Sequence, residues 1–229
     1  MKHREPALSR GLFLCAVTIL FLVGLLACKT ASAAGPIPNP AVDEPLAKAR
    51  TQQTAVFSGG CFWGVQAVFE HVKGVTSVVA GYSGGVADTA HYEIVSTGDT
   101  GHAESVKVTY DPSQISYGRL LKVFFSVAHD PTQLNRQGPD EGTQYRSIIF
   151  YASPDQKRIA QAYIDQLNQA KFFSQRIVTD VTALNAFYPA EDYHQDYLVH
   201  HPNDPYIMFN DLPKLTHLQQ EFPELYVAK

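Results

Sequence analysis

The thiol of Cys61 is the side chain in this sequence best suited to act as a nucleophile. It follows Gly59 and Gly60, which join a predicted strand to a predicted helix. Unpaired N–H groups and the helix dipole favour an anion at the start of a helix, so the sequence predicts a lowered thiol pKa. The alternative is a tight turn that ends in a buried, inert cysteine.

Two aromatic residues directly after the thiol, Phe62 and Trp63, help to decide between these interpretations. Adjacent side chains point in different directions on a helix or a strand, so both rings cannot enter the core. We expect at least one of them to face a cleft beside Cys61, which favours a functional thiol over a structural one.

The distribution of the three cysteines also favours a reactive thiol. Cys15 lies within an apolar N-terminal stretch and Cys28 lies just after it, so Cys61 is the one cysteine of the globular part. The apolar N-terminal stretch has the pattern of a secretory signal, so we expect the globular part to be exported. A single cysteine in an exported domain has no intramolecular disulfide partner, which is typical of a reactive thiol.

Four motifs in order over about residues 54–228 resemble those of the methionine sulfoxide reductase A family. They are GCFWG at 60–64, GHAE at 101–104, RQGPDEGTQYRS at 136–147 and AEDYHQDYL at 190–198. The third departs from the family at Pro139, where asparagine is common, and we expect only a local loop effect. The resemblance implies reduction of the S epimer of methionine sulfoxide in peptides and proteins.

The resemblance also implies a role for each matching residue. Cys61 attacks the sulfoxide sulfur and becomes a sulfenic acid, while Glu104 protonates the oxygen, for which burial must raise its pKa. Tyr92 and Tyr145 are expected to donate hydrogen bonds to that oxygen. The implied substrate-binding residues are Phe62 and Trp63 around the methyl group, with Asp140 and His194 as polar supports.

Regeneration of Cys61 is predicted to need an external thiol, because no cysteine follows it in the chain. The sequence therefore predicts a one-Cys enzyme whose sulfenic acid reacts with a thioredoxin-like protein or a small thiol. We expect no bound cofactor. His194, His200 and His201 do not have a usual zinc spacing, so no metal site is predicted.

Two other classes of function stay open on the sequence alone. A cysteine hydrolase or acyltransferase would use Cys61 with His102 or His194 as the base, and it would turn over without a reductant. A non-enzymatic envelope domain would display an aromatic cleft, and its binding would not depend on the thiol.

The elements that position these residues are predicted from hydrophobic periodicity. The predicted strands and helices lie near 54–58, 61–73, 75–82, 105–110, 117–127, 147–152, 154–171 and 176–181. Their order, β-α-β-β-α-β-α-β, predicts an α+β two-layer sandwich with a ferredoxin-like split β-α-β core. The C-terminal segment, rich in His, Tyr and Pro, is predicted to be irregular.

The N-terminus has the pattern of a secretory signal. A basic start precedes an apolar run that ends in LLAC at residues 25–28, which resembles the lipobox of bacterial lipoproteins. We expect a signal peptide over 1–27, lipidation of Cys28, a linker over 28–53 and a catalytic reductase domain over 54–229. Cleavage near residues 31–33 without lipidation and a retained membrane anchor are the alternatives.

Composition and charge restrict the partners. The formal net charge is −4, and no basic cluster lies outside the first ten residues, so nucleic-acid binding is not expected. With 229 residues, 45% of them hydrophobic, the chain is long enough for one well-filled core. We expect a monomer in the cell envelope or periplasm, attached to the membrane by its lipid, that repairs oxidised exported proteins.

Overall fold

The computed structural model describes residues 35–229. The predicted signal peptide, the lipidation of Cys28 and the alternative cleavage site therefore lie outside the described residues. Within residues 35–229, no helix is both long enough and apolar enough to cross a membrane.

Most of the strands belong to one mixed sheet. The strands are β1 Gln53–Ser58, β2 Val75–Ser83, β3 Ala103–Tyr110, β4 Arg136–Gln137, β5 Asp140–Glu141, β6 Ile148–Tyr151, β7 Asp180–Ala183 and β8 Phe187–Pro189. Six of them form the sheet in the order β7-β6-β1-β3-β2-β8, while β4 and β5 form a separate hairpin. Only the β6–β7 pair in the large sheet is parallel.

The helices follow most of the predicted spacings. They are α1 Phe62–Glu70, α2 Tyr92–Val95, α3 Tyr117–Val123, α4 Pro154–Gln169, α5 Tyr197–His200 and α6 Leu212–Glu221. A π-helical turn over Phe124–Ala128 extends α3 to the end that the sequence predicts. The segment between β2 and β3, predicted as a loop, contains the short helix α2.

The arrangement of β1, α1, β2 and β3 confirms the predicted α+β fold with a split β-α-β core. β3 lies between β1 and β2 and pairs antiparallel with both. The ring of Phe57 on β1 stacks on Phe69 of α1 and on Phe124, with centroids 5.2 and 5.0 Å apart. These rings are fully buried, and each such side chain stabilises the fold by about 1.5–3 kcal/mol, which fixes α1 against the sheet.

The prediction of an irregular C-terminal segment is wrong for its last part, which contains α6. Leu212, Leu215 and Leu218 are spaced at three residues and pack towards the core, while Pro213 occupies the first turn, where its missing N–H costs no hydrogen bond. The density of His, Tyr and Pro before it hid this periodicity. Helix α6 contacts α1, the helix that begins at the thiol.

The predicted linker is also not a free tether over its described part. Ile37 is buried in the main core, and the carbonyl of Pro38 accepts a hydrogen bond from the Tyr163 hydroxyl at 2.7 Å. The carboxylate of Asp43 accepts hydrogen bonds from Ser116 Oγ and from the N–H of Gly118. These contacts attach the segment to α3 and α4, so the folded unit begins well before residue 54.

Candidate active site

Cys61 lies at the N-cap of α1, directly after a sharp backbone turn. Gly60 has φ +89°, and a Cβ there would lie 2.5 Å from the Gln137 side chain, so only glycine fits this position. The helix has no side-chain N-cap hydrogen bond and no acidic residue in its first turn. Cys61 itself is 8% exposed, at the bottom of a cleft.

Glu104 lies on β3, and its carboxylate meets the first turn of α1. The N–H of Phe62 donates a hydrogen bond to Glu104 Oε2 at 3.0 Å. Burial raises the pKa of Glu104 to about 8, against the opposing effects of the Phe62 N–H and the Cys61 thiol. At neutral pH this carboxyl group is therefore mainly protonated and can donate a proton.

The predicted fall in the pKa of the Cys61 thiol is wrong. Burial raises the pKa above its ordinary value, and the negative charges of Glu104 and Asp211 add to the increase. The N–H of Trp63 and the ammonium of Lys214 act in the opposite direction but do not outweigh burial. The resting thiol is protonated because its loss of hydration costs more than the helix start returns.

Most of the residues that the sequence selects line one cleft of about 200 Å³. The lining residues are Cys61, Phe62, Trp63, Tyr92, Glu104, Asp140, Tyr145 and Tyr206. They come from separate parts of the chain, and the fold brings them together around the sulfur. A cavity of this size suits a single thioether or sulfoxide side chain.

The two predicted hydroxyl donors lie on short helical turns at the rim of the cleft. Tyr92 begins α2, and its backbone N–H donates to Glu191 Oε1 at 2.9 Å. Tyr145 ends a 3-10 turn after the β4–β5 hairpin. Burial and the charge of Glu104 raise the pKa of both phenols, so each remains protonated and able to donate a hydrogen bond.

The aromatic wall of the cleft, formed by Phe62 and Trp63, is supported by neighbouring aromatic residues. Phe62 is 1% exposed, whereas Trp63 is partly exposed and stacks on Tyr197 with centroids 3.7 Å apart. The indole Nε1 of Trp63 donates a hydrogen bond to Nδ1 of His194 at 3.2 Å. His194 is not among the residues that line the cleft, and it supports Trp63 through this hydrogen bond.

Tyr206 is the cleft residue that sequence reasoning missed. It precedes a π-helical turn over Ile207–Asp211, and its hydroxyl donates a hydrogen bond to Asp140 Oδ2. It forms an edge-to-face contact with Trp63 at 5.9 Å. No local spacing marks Tyr206, because its role depends on contacts with residues that lie far away in the sequence.

The geometry does not favour a hydrolase that uses a histidine base. The cleft lining contains no histidine. His102 has both ring nitrogens engaged, since Nδ1 accepts from the Gly85 N–H and Nε2 pairs with the carbonyl of Val86. Within residues 35–229, no group of three or more His, Cys, Asp or Glu side chains has an arrangement that would hold a metal ion.

Comparison with known proteins identifies the family. A family model described as peptide methionine sulfoxide reductase matches residues 53–225. The chain belongs to this family. A peptide methionine sulfoxide reductase from Mesorhizobium japonicum is 62% identical over 177 residues, which cover 77% of this chain and 91% of that protein. One from Synechocystis is 56% identical over 195 residues, covering 84% of this chain and 91% of that protein.

Solved structures, one of them of a methionine sulfoxide reductase A, share the fold. The reduced form of Mxr1 from Saccharomyces cerevisiae has a TM-score of 0.62 and 31% identity, covering 72% of this chain and 92% of that one. The enzyme from Corynebacterium diphtheriae has a TM-score of 0.59 and 35% identity, covering 75% of this chain and 88% of that one. The chain is therefore an oxidoreductase that reduces methionine sulfoxide in peptides and proteins.

Proposed function

We propose that this methionine sulfoxide reductase uses Cys61 as its nucleophile and Glu104 as its acid, on the S epimer of the substrate. One observation carries the proposal: a thiol and a carboxyl group that is protonated at neutral pH line the same small aromatic cleft. The cleft provides one wall of rings and one polar side, which suits a methyl sulfoxide.

The reductase step is balanced by the two side chains. Sγ of Cys61 bonds to the sulfoxide sulfur while Glu104 gives its proton to the sulfoxide oxygen. The thiol proton passes to the Glu104 carboxylate, which restores the acid. The hydroxyl group then moves from the substrate sulfur to Sγ: the S–O bond and the transient S–Sγ bond break, an O–Sγ bond forms, and one electron pair stays on the methionine sulfur. The products are methionine, reduced by two electrons, and a sulfenic acid on Cys61, oxidised by two.

The remaining lining residues support this step. The hydroxyls of Tyr92 and Tyr145 stabilise the charge that develops on the oxygen. Phe62 and Trp63 enclose the methyl group, and Tyr206, which is hydrogen-bonded to Asp140, packs edge-to-face against Trp63. The S epimer is implied by the family resemblance, and a site that fixes the methyl group, the oxygen and the direction of attack by Sγ distinguishes the two epimers.

An external thiol completes the cycle in this proposal. Cys61 has no cysteine after it, and Cys28 is removed or lipidated if the N-terminus is processed as predicted. The sulfenic acid therefore reacts with a thiol of a thioredoxin-like protein or a small molecule, which forms a mixed disulfide and releases the oxygen as water. A second thiol, from the same protein or from a second small molecule, then attacks the mixed disulfide and releases the Cys61 thiol. The incoming thiol enters through the mouth of the cleft.

We also propose that the protein is exported and lipid-anchored, and that it repairs oxidised envelope proteins. The basic start, the apolar run and the LLAC sequence that ends at Cys28 support this location. Replacing Cys28 with serine should move the protein from the membrane fraction to the soluble fraction. Cys61→Ser is the matched control and should leave the distribution unchanged. If Cys28→Ser stays in the membrane fraction, the lipid anchor is refuted.

The decisive assay uses both epimers of a methionine sulfoxide peptide with dithiothreitol as the reductant. We expect consumption of the S epimer alone, and no reduction of either epimer by Cys61→Ser. Reduction by the serine variant would remove Cys61 from the mechanism, and equal use of both epimers would contradict the stereochemical assignment. A hydrolase would instead turn over esters or amides without dithiothreitol.

A further inference from the structure

A buried ion pair lies against the first turn of α1, next to the active site. Asp211 Oδ1 and Lys214 Nζ are 3.1 Å apart, and their side chains are 0% and 19% exposed. A Cβ on Gly64 would overlap Asp211 Oδ1 and would lie 2.6 Å from Lys214 Nζ. Both groups therefore pack closely against the helix at this glycine. Gly64 is three residues after Cys61, which places the pair on the face that carries the thiol.

The pair is costly as a purely structural feature. Removing both charges from water is expensive, and a hydrophobic replacement of the same volume is often neutral or stabilising. Within the described residues, Asp211 Oδ2 is buried without a hydrogen-bond partner, so the pair is not fully satisfied. An incompletely satisfied ion pair beside a nucleophile is a candidate for a functional role.

We infer that Lys214 is a positioning residue for the reductase step: its ammonium group, held by Asp211 against α1, stabilises the anion that forms on Cys61. This inference rests on the proposed role of Cys61 as the nucleophile. Asp211 fixes the ammonium in place, while its own negative charge acts on the sulfur in the opposite direction. Among the described residues whose charges act on the sulfur, Lys214 is the one with a positive side chain.

The other ionisable groups around the sulfur are carboxyl groups and phenols, which carry either no charge or a negative charge. They are Glu104, Asp140, Tyr92, Tyr145, Tyr197 and Tyr206. Each of them disfavours a negative sulfur once it is ionised, so they cannot replace the ammonium group. The charge of Lys214 acts in a partly dry site, where its effect on the sulfur is stronger than in water.

The test is the pH dependence of Cys61 alkylation by iodoacetamide in the full folded domain. Asp211→Asn removes a negative charge that disfavours the anion on Cys61 and leaves the ammonium without its counter-charge, so we expect the alkylation midpoint to fall. Adding Lys214→Met to that variant removes only the ammonium and leaves no buried unpaired carboxylate, so the midpoint should rise again. A rise of one pH unit corresponds to about a tenfold lower alkylation rate below the midpoint.

Arg158→Met is the matched control, because Arg158 forms an ion pair with Asp155 at the same three-residue spacing on the distant helix α4. Its midpoint should equal that of the unmodified protein. Equal midpoints for Asp211→Asn and the double variant would overturn the inference, as would a fall on removing Lys214. If the double variant does not fold, Asp211→Asn with Lys214→Gln takes its place, and a midpoint no higher than that of Asp211→Asn alone overturns the inference.

Alkylation separates this inference from the proposed function because no substrate is present. If the midpoints move in the expected order but Cys61→Ser still reduces sulfoxide, the proposed function fails while the charge relation holds. If Cys61→Ser is inactive but the midpoints do not move, the proposed function stands and the role of Lys214 is refuted.

Discussion

The starts of α1 and α4 show two different uses of a helix N-terminus. Helix α4 begins after Ser153, whose hydroxyl accepts a hydrogen bond from the N–H of Gln156, and Pro154 follows in the first turn. Helix α1 begins after Cys61 with no side-chain cap hydrogen bond. The first is a local stabilising structure, and the second leaves its end open for chemistry.

The open end of α1 is completed by groups from elsewhere in the chain. The Phe62 N–H meets Glu104 from β3, and the Asp211–Lys214 pair from the C-terminal segment packs against Gly64. A carboxyl group that is mainly protonated at neutral pH is a weak helix cap but a useful acid. We therefore expect changes at the start of α1 to act mainly on activity, and changes at the start of α4 to act mainly on stability.

The largest expected effect is on the acid. Glu104→Gln keeps an oxygen for the Phe62 N–H but cannot donate the proton, so kcat/KM should fall by about 100-fold or more. The matched control is Glu93→Gln, which makes the same change at an exposed carboxylate and should leave kcat/KM unchanged. An unaltered rate for Glu104→Gln would remove this residue from the acid role.

The same variant should also change how the free energy of unfolding depends on pH. The pKa of Glu104 is about 8 in the folded protein against an ordinary value of 4.5, so its contribution to stability is full at acid pH and is lost as pH rises through 8. The free energy of unfolding of Glu104→Gln, relative to the unmodified protein, should therefore increase between these pH values. Denaturant unfolding at several pH values measures this, and a decrease would contradict the raised pKa.

A smaller effect is expected at the capped helix. Ser153→Ala removes the hydroxyl that accepts from Gln156, which should lower the free energy of unfolding by about 1 kcal/mol. Its kcat/KM should not change. Ser174→Ala, at an exposed loop position, controls for the loss of a hydroxyl. A large loss of activity in Ser153→Ala, at temperatures where it is folded, would show that the cap of α4 affects catalysis as well as stability.

The smallest expected effect is on the stability of the inactive Cys61→Ser variant. Serine is a good N-cap residue and cysteine is not, so the hydroxyl should satisfy a free N–H of the first turn and add a few tenths of a kcal/mol or more. Thermal unfolding checks this. Substantial destabilisation would show that the sulfur contributes to packing that the hydroxyl cannot replace.

Sequence patterns predicted what depends on local spacing. The strand–Gly–Gly–helix junction located Cys61, and the capping residues located α4. The family motifs selected Glu104 and Tyr145, and the wider family resemblance selected Tyr92. The fold then assembles Cys61, Glu104 and the two tyrosines around one cleft.

Properties that depend on distant contacts could not be predicted in this way. The pKa of Cys61 is set by burial and by charges from β3 and the C-terminal segment, so the helix start alone gave the wrong direction. Tyr206 enters the site through Asp140 and Trp63, which are far away in the sequence. The packed segment over residues 37–43 contains prolines typical of a linker, and only its contacts show that it is folded.

The role of Cys61 is tested most directly by a single turnover with a methionine sulfoxide peptide in the absence of any reductant, followed by dimedone trapping and mass spectrometry. We expect one methionine formed for each dimedone adduct on Cys61. Methionine formed without an adduct on Cys61, in protein that reacts fully with dimedone after peroxide treatment, would contradict this role.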